Sequence, residues 1–302
     1  MTQKTLNFDF GTQQQSRAVL FSCIEGGSKF WSDEISTYGP ESVHEKLIEG
    51  GYEKEKHSAG KIAERVRHQH GQDVLEEISK AECFLLTPED EDWPKQLDDL
   101  KASPIALVVK GERELLFDLA HSISIVGTRN PTPYGARVAA DFAASACDRN
   151  FAVISGGAYG IDACAHRGAL AAEGMTVAVL AGGISRNYPA GHEKLFVEIA
   201  ETGLLISEVM PQVSALPARF LIRNRLIAAL SRGTIVVEAA FRSGSIRTAR
   251  EASEIFRPVM AVPGPINSPT SEGSHRLITD RCAELVSSIG DVMELVMPLG
   301  NG

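Results

Sequence analysis

The chain has 302 residues, of which 43% are hydrophobic and 23% charged, enough for one large α/β domain and a small companion. No apolar run reaches the about 18 residues of a membrane span, and Met1 to Gln15 lack the pattern of a signal peptide, so the expected compartment is the cytoplasm. The net charge of −9 speaks against a polyanionic partner only until its distribution is read: seven arginines and one acid lie between Pro217 and Arg250, whereas acids crowd Glu41 to Glu55 and Pro88 to Asp99.

Residues 1–15 read as a disordered polar tail. Residues 16–86 carry helical spacing, as in Val43, Leu47 and Ile48 and again over Asp73 to Ile78, with Gly26-Gly27 and Gly50-Gly51 as punctuation. This is a small all-helical domain. A polar connector with Pro88 and Pro94 leads to Ser103-Pro104, within a second domain expected over residues 87–302. From Ile105 short apolar runs alternate with amphipathic stretches. The runs are Ile105–Val109, Ser122–Val126, Ala152–Ile154, Val177–Leu180, Leu204–Ile206, Thr234–Val237 and Val259–Val262. Between them lie Ala136–Cys147, Asp162–Ala172, Glu193–Thr202, Phe220–Leu230 and Ile246–Ile255. Near-continuous Val, Ile and Leu marks strands buried on both faces, and strand–helix alternation predicts an α/β fold with a doubly wound, mostly parallel sheet.

The loops after these strands carry the chemistry. Gly127-Thr128-Arg129, then Ser155-Gly156-Gly157-Ala158-Tyr159-Gly160, Ala181-Gly182-Gly183, and Ser243-Gly244-Ser245 all follow strand ends. In a parallel sheet they converge on the carboxyl edge, where glycine backbones and helix N-termini receive phosphate oxygens. There is no G-x-x-x-x-G-K-[ST], and no clean G-x-G-x-x-G with an acid ending the second strand, so neither a Walker-type ATPase nor a standard dinucleotide site is expected. Asp162 and His166 lie four apart near Ser155, but the G-x-S-x-G elbow of a hydrolase is missing; they read as a first-turn acid and a packing histidine. The five cysteines form no C-x-x-C and the histidines do not cluster, so no metal, disulfide framework or cofactor is expected.

Arg219-Phe220-Leu221-Ile222-Arg223-Asn224-Arg225 offers guanidinium forks for phosphates, an amide for a base edge and a ring for stacking. On a helix, Arg219, Arg223 and Leu226 share one side and Arg225 is rotated away. The bland alternative is a solvated, charged helix face. Ser243-Gly244-Ser245-Ile246-Arg247-Thr248 is a second anion candidate, or an ordinary capped helix start.

Together these strings resemble the DprA/Smf family of DNA-processing proteins. The resemblance runs from Ile125-Val126-Gly127-Thr128-Arg129 through Ser155 to Asp162 with Ala165-His166, Ala178 to Gly183, Tyr188-Pro189 and Ser207-Glu208. It continues in Phe220 with Arg223-Asn224-Arg225, Val237-Glu238-Ala239, Ser243-Gly244-Ser245, Thr248-Ala249 and Ala261-Val262-Pro263-Gly264, in matching order over roughly residues 90–285. It implies an extended Rossmann-like core that binds single-stranded DNA as a homodimer, protects incoming strands and helps load a RecA-type recombinase in natural transformation (competence) or recombination. It also implies a sterile-alpha-motif-like N-terminal domain. By position, Arg129, Arg223 or Arg225 and the amides near Gly156 and Gly244 would meet phosphates, and Phe220 a base or sugar edge. The chain departs from the family in having Tyr159 where a Lys or Arg is usual, Leu221 at the proline of F-P-x-R-N-R, and Asp280-Arg281-Cys282-Ala283 for D-G-A. It stops soon after Val296, so the C-terminal winged-helix domain of many members is expected to be absent.

Two rivals are weighed. Lonely Guy-type nucleotide phosphoribohydrolases use P-G-G-x-G-T-x-x-E, and Thr248-Ala249-Arg250-Glu251 matches its end. Arg247 replaces the glycine before the threonine, however, and should project outward and pair with Glu251, which speaks against an enzyme. The other rival is a recruitment platform with a vestigial DNA site.

Overall fold

The computed structural model describes residues 11–52 and 56–297. Five helices come first: α1 (Thr12–Cys23), α2 (Lys29–Tyr38), α3 (Pro40–Glu49), α4 (Lys56–Val66) and α5 (Gly71–Lys80). Ser28 caps α2 by accepting the Trp31 amide, and Gly50 in the left-handed conformation ends α3. The expected tail is corrected in part, because α1 already begins at Thr12; residues 1–10 lie outside the described residues.

A nine-stranded sheet follows, with β1 (Phe84–Leu86), β2 (Leu107–Gly111), β3 (Ser122–Val126), β4 (Ala152–Ser155), β5 (Thr176–Leu180), β6 (Leu204–Ser207), β7 (Thr234–Val236), β8 (Val259–Ala261) and β9 (Glu284–Leu285). Its order is β1-β2-β6-β5-β4-β3-β7-β8-β9. Every pairing from β6 to β9 is parallel, and β1 and β2 add an antiparallel edge. Strands β3 to β8 are buried along their whole length, as their apolar runs require.

The connecting helices are α6 (Pro133–Cys147), α7 (Ile161–Ala171), α8 (Glu193–Thr202), α9 (Pro217–Leu230) and α10 (Gly244–Glu254), followed by α11 (Glu272–Thr279) and α12 (Ile289–Val296). Side-chain alternation splits the sheet between two cores. Ile123, Ile125, Val153 and Ile235 pack with Phe142 of α6 and Val292 of α12, while Val126, Ile154, Val179 and Val236 pack with Leu226 and Ile227 of α9. Thr132 caps α6 by accepting the Gly135 amide at 3.2 Å, and proline occupies the first position of both α6 and α9. Those prolines explain why both helices start three residues before the apolar periodicity does.

Three sequence expectations change. The run Ile105–Val109 becomes a strand only from Leu107, since Ile105 and Ala106 pack instead among the N-terminal helices. Strand β1 was counted with the helical domain; three residues are too short to show alternation, and the sheet starts at Phe84. Strand β9, two exposed residues long, gave no apolar signal. The helical domain is also less separate than expected. Leu20, Trp31, Leu47 and Ile78 share one apolar cluster with Val108, Leu180, Phe196 and Leu205.

Candidate nucleic-acid interface

Strands β3, β4, β5 and β6 advance in one direction across the sheet; after β6 the chain returns through α9 to β7 on the far side of β3. The loops after β3 and β7 therefore diverge, and a crevice opens at this reversal, the place where open α/β sheets take ligands. It holds a cavity of about 370 Å³ lined by Gly127, Thr128 and Arg129 from the β3 loop, Phe220, Arg223 and Asn224 from α9, and Ser243, Gly244, Ser245 and Thr248 at the start of α10. A smaller aromatic compartment adjoins it, lined by Gly156, Tyr159, Gly182, Arg186, Tyr188 and Phe220. Arg129 and Phe220 belong to both, and the Arg129 guanidinium lies 5.5 Å from the Phe220 ring centre.

Thr128 is pinned by its backbone, donating to the Glu238 carbonyl at 2.6 Å and accepting from the Ile161 amide at 3.1 Å. Arg129, next along, makes no ion pair among the described residues. Phe220 meets Tyr188 edge-on at 5.3 Å, and Tyr159 meets His192 at 4.6 Å. Tyr159 and Tyr188 are about half exposed, at 49% and 52%, so both rings offer surface to a base. Across the crevice, Asn224 donates to the Gly244 carbonyl at 3.2 Å, tying α9 to α10. The Ser243 and Ser245 hydroxyls pair with each other at 2.7 Å, and Thr248 donates to the Gly244 carbonyl.

Arg223 is the most buried cation of the crevice. It is 7% exposed, its Nη1 donates to the Val179 carbonyl at 2.6 Å, and its Nε has no partner. Gly156 lets it lie there, since a Cβ at that position would stand 1.9 Å from Nη1 and displace the guanidinium. Burial pushes the Arg223 guanidinium down to about 10, against the attraction of Asp162, so it is still cationic at neutral pH. Asp162 is buried too. Burial raises its carboxyl above the usual carboxylate range, while Arg223 and the amides of Ala158 and Gly156 hold it down.

Several expectations are corrected here. The Gly156 amide, expected to face a phosphate, donates to Asp162 Oδ2 at 3.1 Å, and the Ala158 amide does so at 3.3 Å. That loop carries its own anion. Ser155 is fully buried within β4 and donates to the Ile125 carbonyl at 2.6 Å, so it does not reach the cavity. Of the arginines offered for phosphates, Arg223 lines the crevice cavity, whereas Arg225 and Arg247 do not. Two residues along a helix turn about 200°, which sends Arg225 to the opposite side, where it pairs with Glu208 at 2.6 Å with both side chains buried. Arg247 pairs with Glu251 at 2.5 Å and, with Arg225, lines a different groove of about 430 Å³.

His166 packs as expected, fully buried, with Nδ1 2.7 Å from the Thr176 hydroxyl. Burial, reinforced by His192 and Arg223, pushes its imidazole down to about 3. Sequence reasoning missed Arg186 and the role of Tyr188 as cavity walls. Only the crossing of α9 beneath the β5 loop brings them together with Arg129, and no local spacing announces that.

The family model of DNA recombination-mediator protein A matches residues 84–297, starting where the sheet starts. A Mycobacterium tuberculosis protein that bears the name DNA processing protein DprA is 44% identical over 239 residues, covering 76% of this chain and 61% of that protein. The chain thus spans about three-fifths of the length of that curated relative. The structure of DNA processing protein A from Streptococcus pneumoniae superposes with a TM-score of 0.77 at 30% identity, covering 95% of this chain and 94% of that one. A Helicobacter pylori DNA processing protein A structure, described for its single-stranded DNA binding mode, has a TM-score of 0.63 at 32% identity, covering 70% and 94%. With the family model matched over residues 84–297 and the fold of the Streptococcus protein shared over 95% of the chain, this chain belongs to the DprA/Smf family.

Proposed function

We propose that the crevice binds single-stranded DNA without chemistry, and that the protein, as a cytoplasmic homodimer, protects strands and assists their loading onto a RecA-type recombinase in transformation or recombination. One observation carries the reading: an aromatic compartment and a larger, polar and arginine-lined cavity share Arg129 and Phe220. Bases stacked on rings beside a cationic track give strong, sequence-tolerant binding to single strands, whereas a duplex hides its base faces. The single-stranded DNA named for the Helicobacter relative supports the ligand class. No helix among the described residues is long and apolar enough to cross a membrane.

The absence of chemistry is supported by Glu251. The residue that would match a phosphoribohydrolase glutamate is engaged with Arg247 and lines the other groove. The test is a mobility shift with Phe220→Leu and Arg129→Ala beside the unaltered protein, together with a base-release assay on AMP, CMP and GMP. Weakened strand binding in both variants and no base release are expected. Base release that disappears in Glu251→Gln would make the protein an enzyme and end this reading.

A further inference from the structure

We infer that the crevice also holds a nucleotide by a 5′-phosphomonoester, presented either by a free nucleoside 5′-monophosphate or by the 5′-phosphorylated end of a strand. This rests on the strand-binding reading of the same crevice but asks which phosphate the larger cavity fits.

The cavity floor is the first turn of α10. No side chain caps that turn, and the Ser243 and Ser245 hydroxyls bond each other rather than its amides. A Cβ built on Gly244 would meet nothing within 4 Å, so the cavity reaches the helix end itself. Facing the same space is Arg223, nine-tenths buried, with Nε unpartnered and only Nη1 committed, to Val179. A buried guanidinium with unused donors beside an open helix N-terminus is a site built for an anion.

The charge balance selects the anion. Arg129 and Arg223 line the cavity, and Asp162 is the one acid among the described residues that does. With about half a charge from the α10 terminus, roughly one and a half positive charges are left uncompensated. A phosphate inside a strand bears one negative charge; a terminal phosphomonoester bears about 1.5 to 2 at neutral pH. The monoester is the better match. Asp162 directs its carboxylate at the Gly156 and Ala158 amides, which closes that loop to phosphate and leaves the α10 side as the open seat. Phe220 lines the same cavity as the start of α10, so its ring is offered to a base attached to a phosphate seated there, and Tyr188 and Tyr159 lie in the adjoining compartment.

The test uses the full chain, calorimetry with dTMP and with thymidine, and two oligonucleotides of one sequence carrying a 5′-phosphate or a 5′-hydroxyl. The variant Gly244→Asp puts a carboxylate where there is free space and at a helix start that favours it, so it folds. The expected result is binding of dTMP but not thymidine, a 5′-phosphorylated strand held at least about tenfold tighter than its 5′-hydroxyl twin, or both, with the effect lost in Gly244→Asp. Binding of dTMP alone identifies the free nucleotide as the source, and a strand preference alone identifies the strand end. If both strands bind equally and dTMP does not bind, the inference is overturned while strand binding stands. A preference that survives Gly244→Asp overturns it as well. Binding of dTMP with no binding of either strand would retain the inference and refute strand binding instead.

Discussion

Arg129 and Arg223 line the same cavity but differ in burial, Arg129 being exposed and Arg223 buried. Arg129 makes no ion pair among the described residues and lies over the Phe220 ring, so Arg129→Ala should weaken binding of a single strand by about 1–3 kcal/mol, read by titration, with little change in melting temperature. Arg223→Ala should cost affinity and stability together, because it strands the Val179 carbonyl and leaves Asp162 buried without its nearest cation; about 1–3 kcal/mol of folding stability is expected to go. An affinity unchanged in the double variant would remove the site. His166 gives a prediction in pH. Thr176 donates its proton to the Val153 carbonyl, so His166 Nδ1–H donates to Thr176 and Nε2 is a buried lone pair without a partner. Folded, the ring stays neutral down to about pH 3; unfolded, it takes a proton near pH 6.5. The unfolded state binds the extra proton between those values, so this contribution is intact above pH 6.5 and is lost progressively as pH falls toward 3. Asp162 and Glu208, whose carboxyls burial raises, act in the opposite sense, so the comparison must isolate the histidine. Denaturation at pH 7 and pH 5 should show a smaller loss in His166→Gln than in the unaltered protein; equal losses would contradict it. That Asp162 and Arg223 act on each other was illegible in sequence, since it depends on which strand end α9 crosses.

Helix α9 works on opposite sides at once. Phe220, Arg223 and Asn224 look into the crevice, while Arg219 bonds Glu25 and Arg225 bonds Glu208 beneath the Gly26-Gly27 loop of the helical domain. Its sequence, basic and apolar at close spacing, has no clear polar face, which is why a solvated-helix reading and a binding reading both fitted it. Glu208→Ala leaves Arg225 buried and unpaired and should destabilise the fold by about 3–5 kcal/mol, whereas Glu208→Leu with Arg225→Met should recover most of that loss. Urea titrations of the three proteins decide it; a double variant no better than the single one would show that the pair does more than neutralise itself. The strands from β3 to β8 were legible because burial on both faces leaves an unbroken apolar run. Strands β1 and β9 were not, being short edge pieces held by their neighbours. The glycine-rich loops were also legible as an edge of the sheet, though not which of their amides remain free.

At the scale of the whole molecule, the helical domain and the sheet share one apolar cluster, so they should unfold together despite their separate sequence textures. The two tryptophans report on this: Trp31 is buried among the helices, and Trp93 packs with the α9 side of the sheet. Fluorescence of Trp31→Phe and Trp93→Phe should give coincident urea transitions, and two separated midpoints would show independent domains. The net charge of −9 is compatible with a polyanionic ligand because it is carried away from the crevice, whose lining includes Arg129, Arg186 and Arg223 against Asp162 alone. That arrangement is suited to exposed bases and phosphates presented together, and poorly suited to reading a duplex groove. The most direct measurement is a salt-series binding titration of the full chain with one oligonucleotide and with its duplex. Binding of the single strand should be clearly tighter and should weaken steeply as salt rises, since each phosphate contact releases counterions. Equal affinity for the duplex, or single-strand binding indifferent to salt, would contradict the crevice as the DNA site.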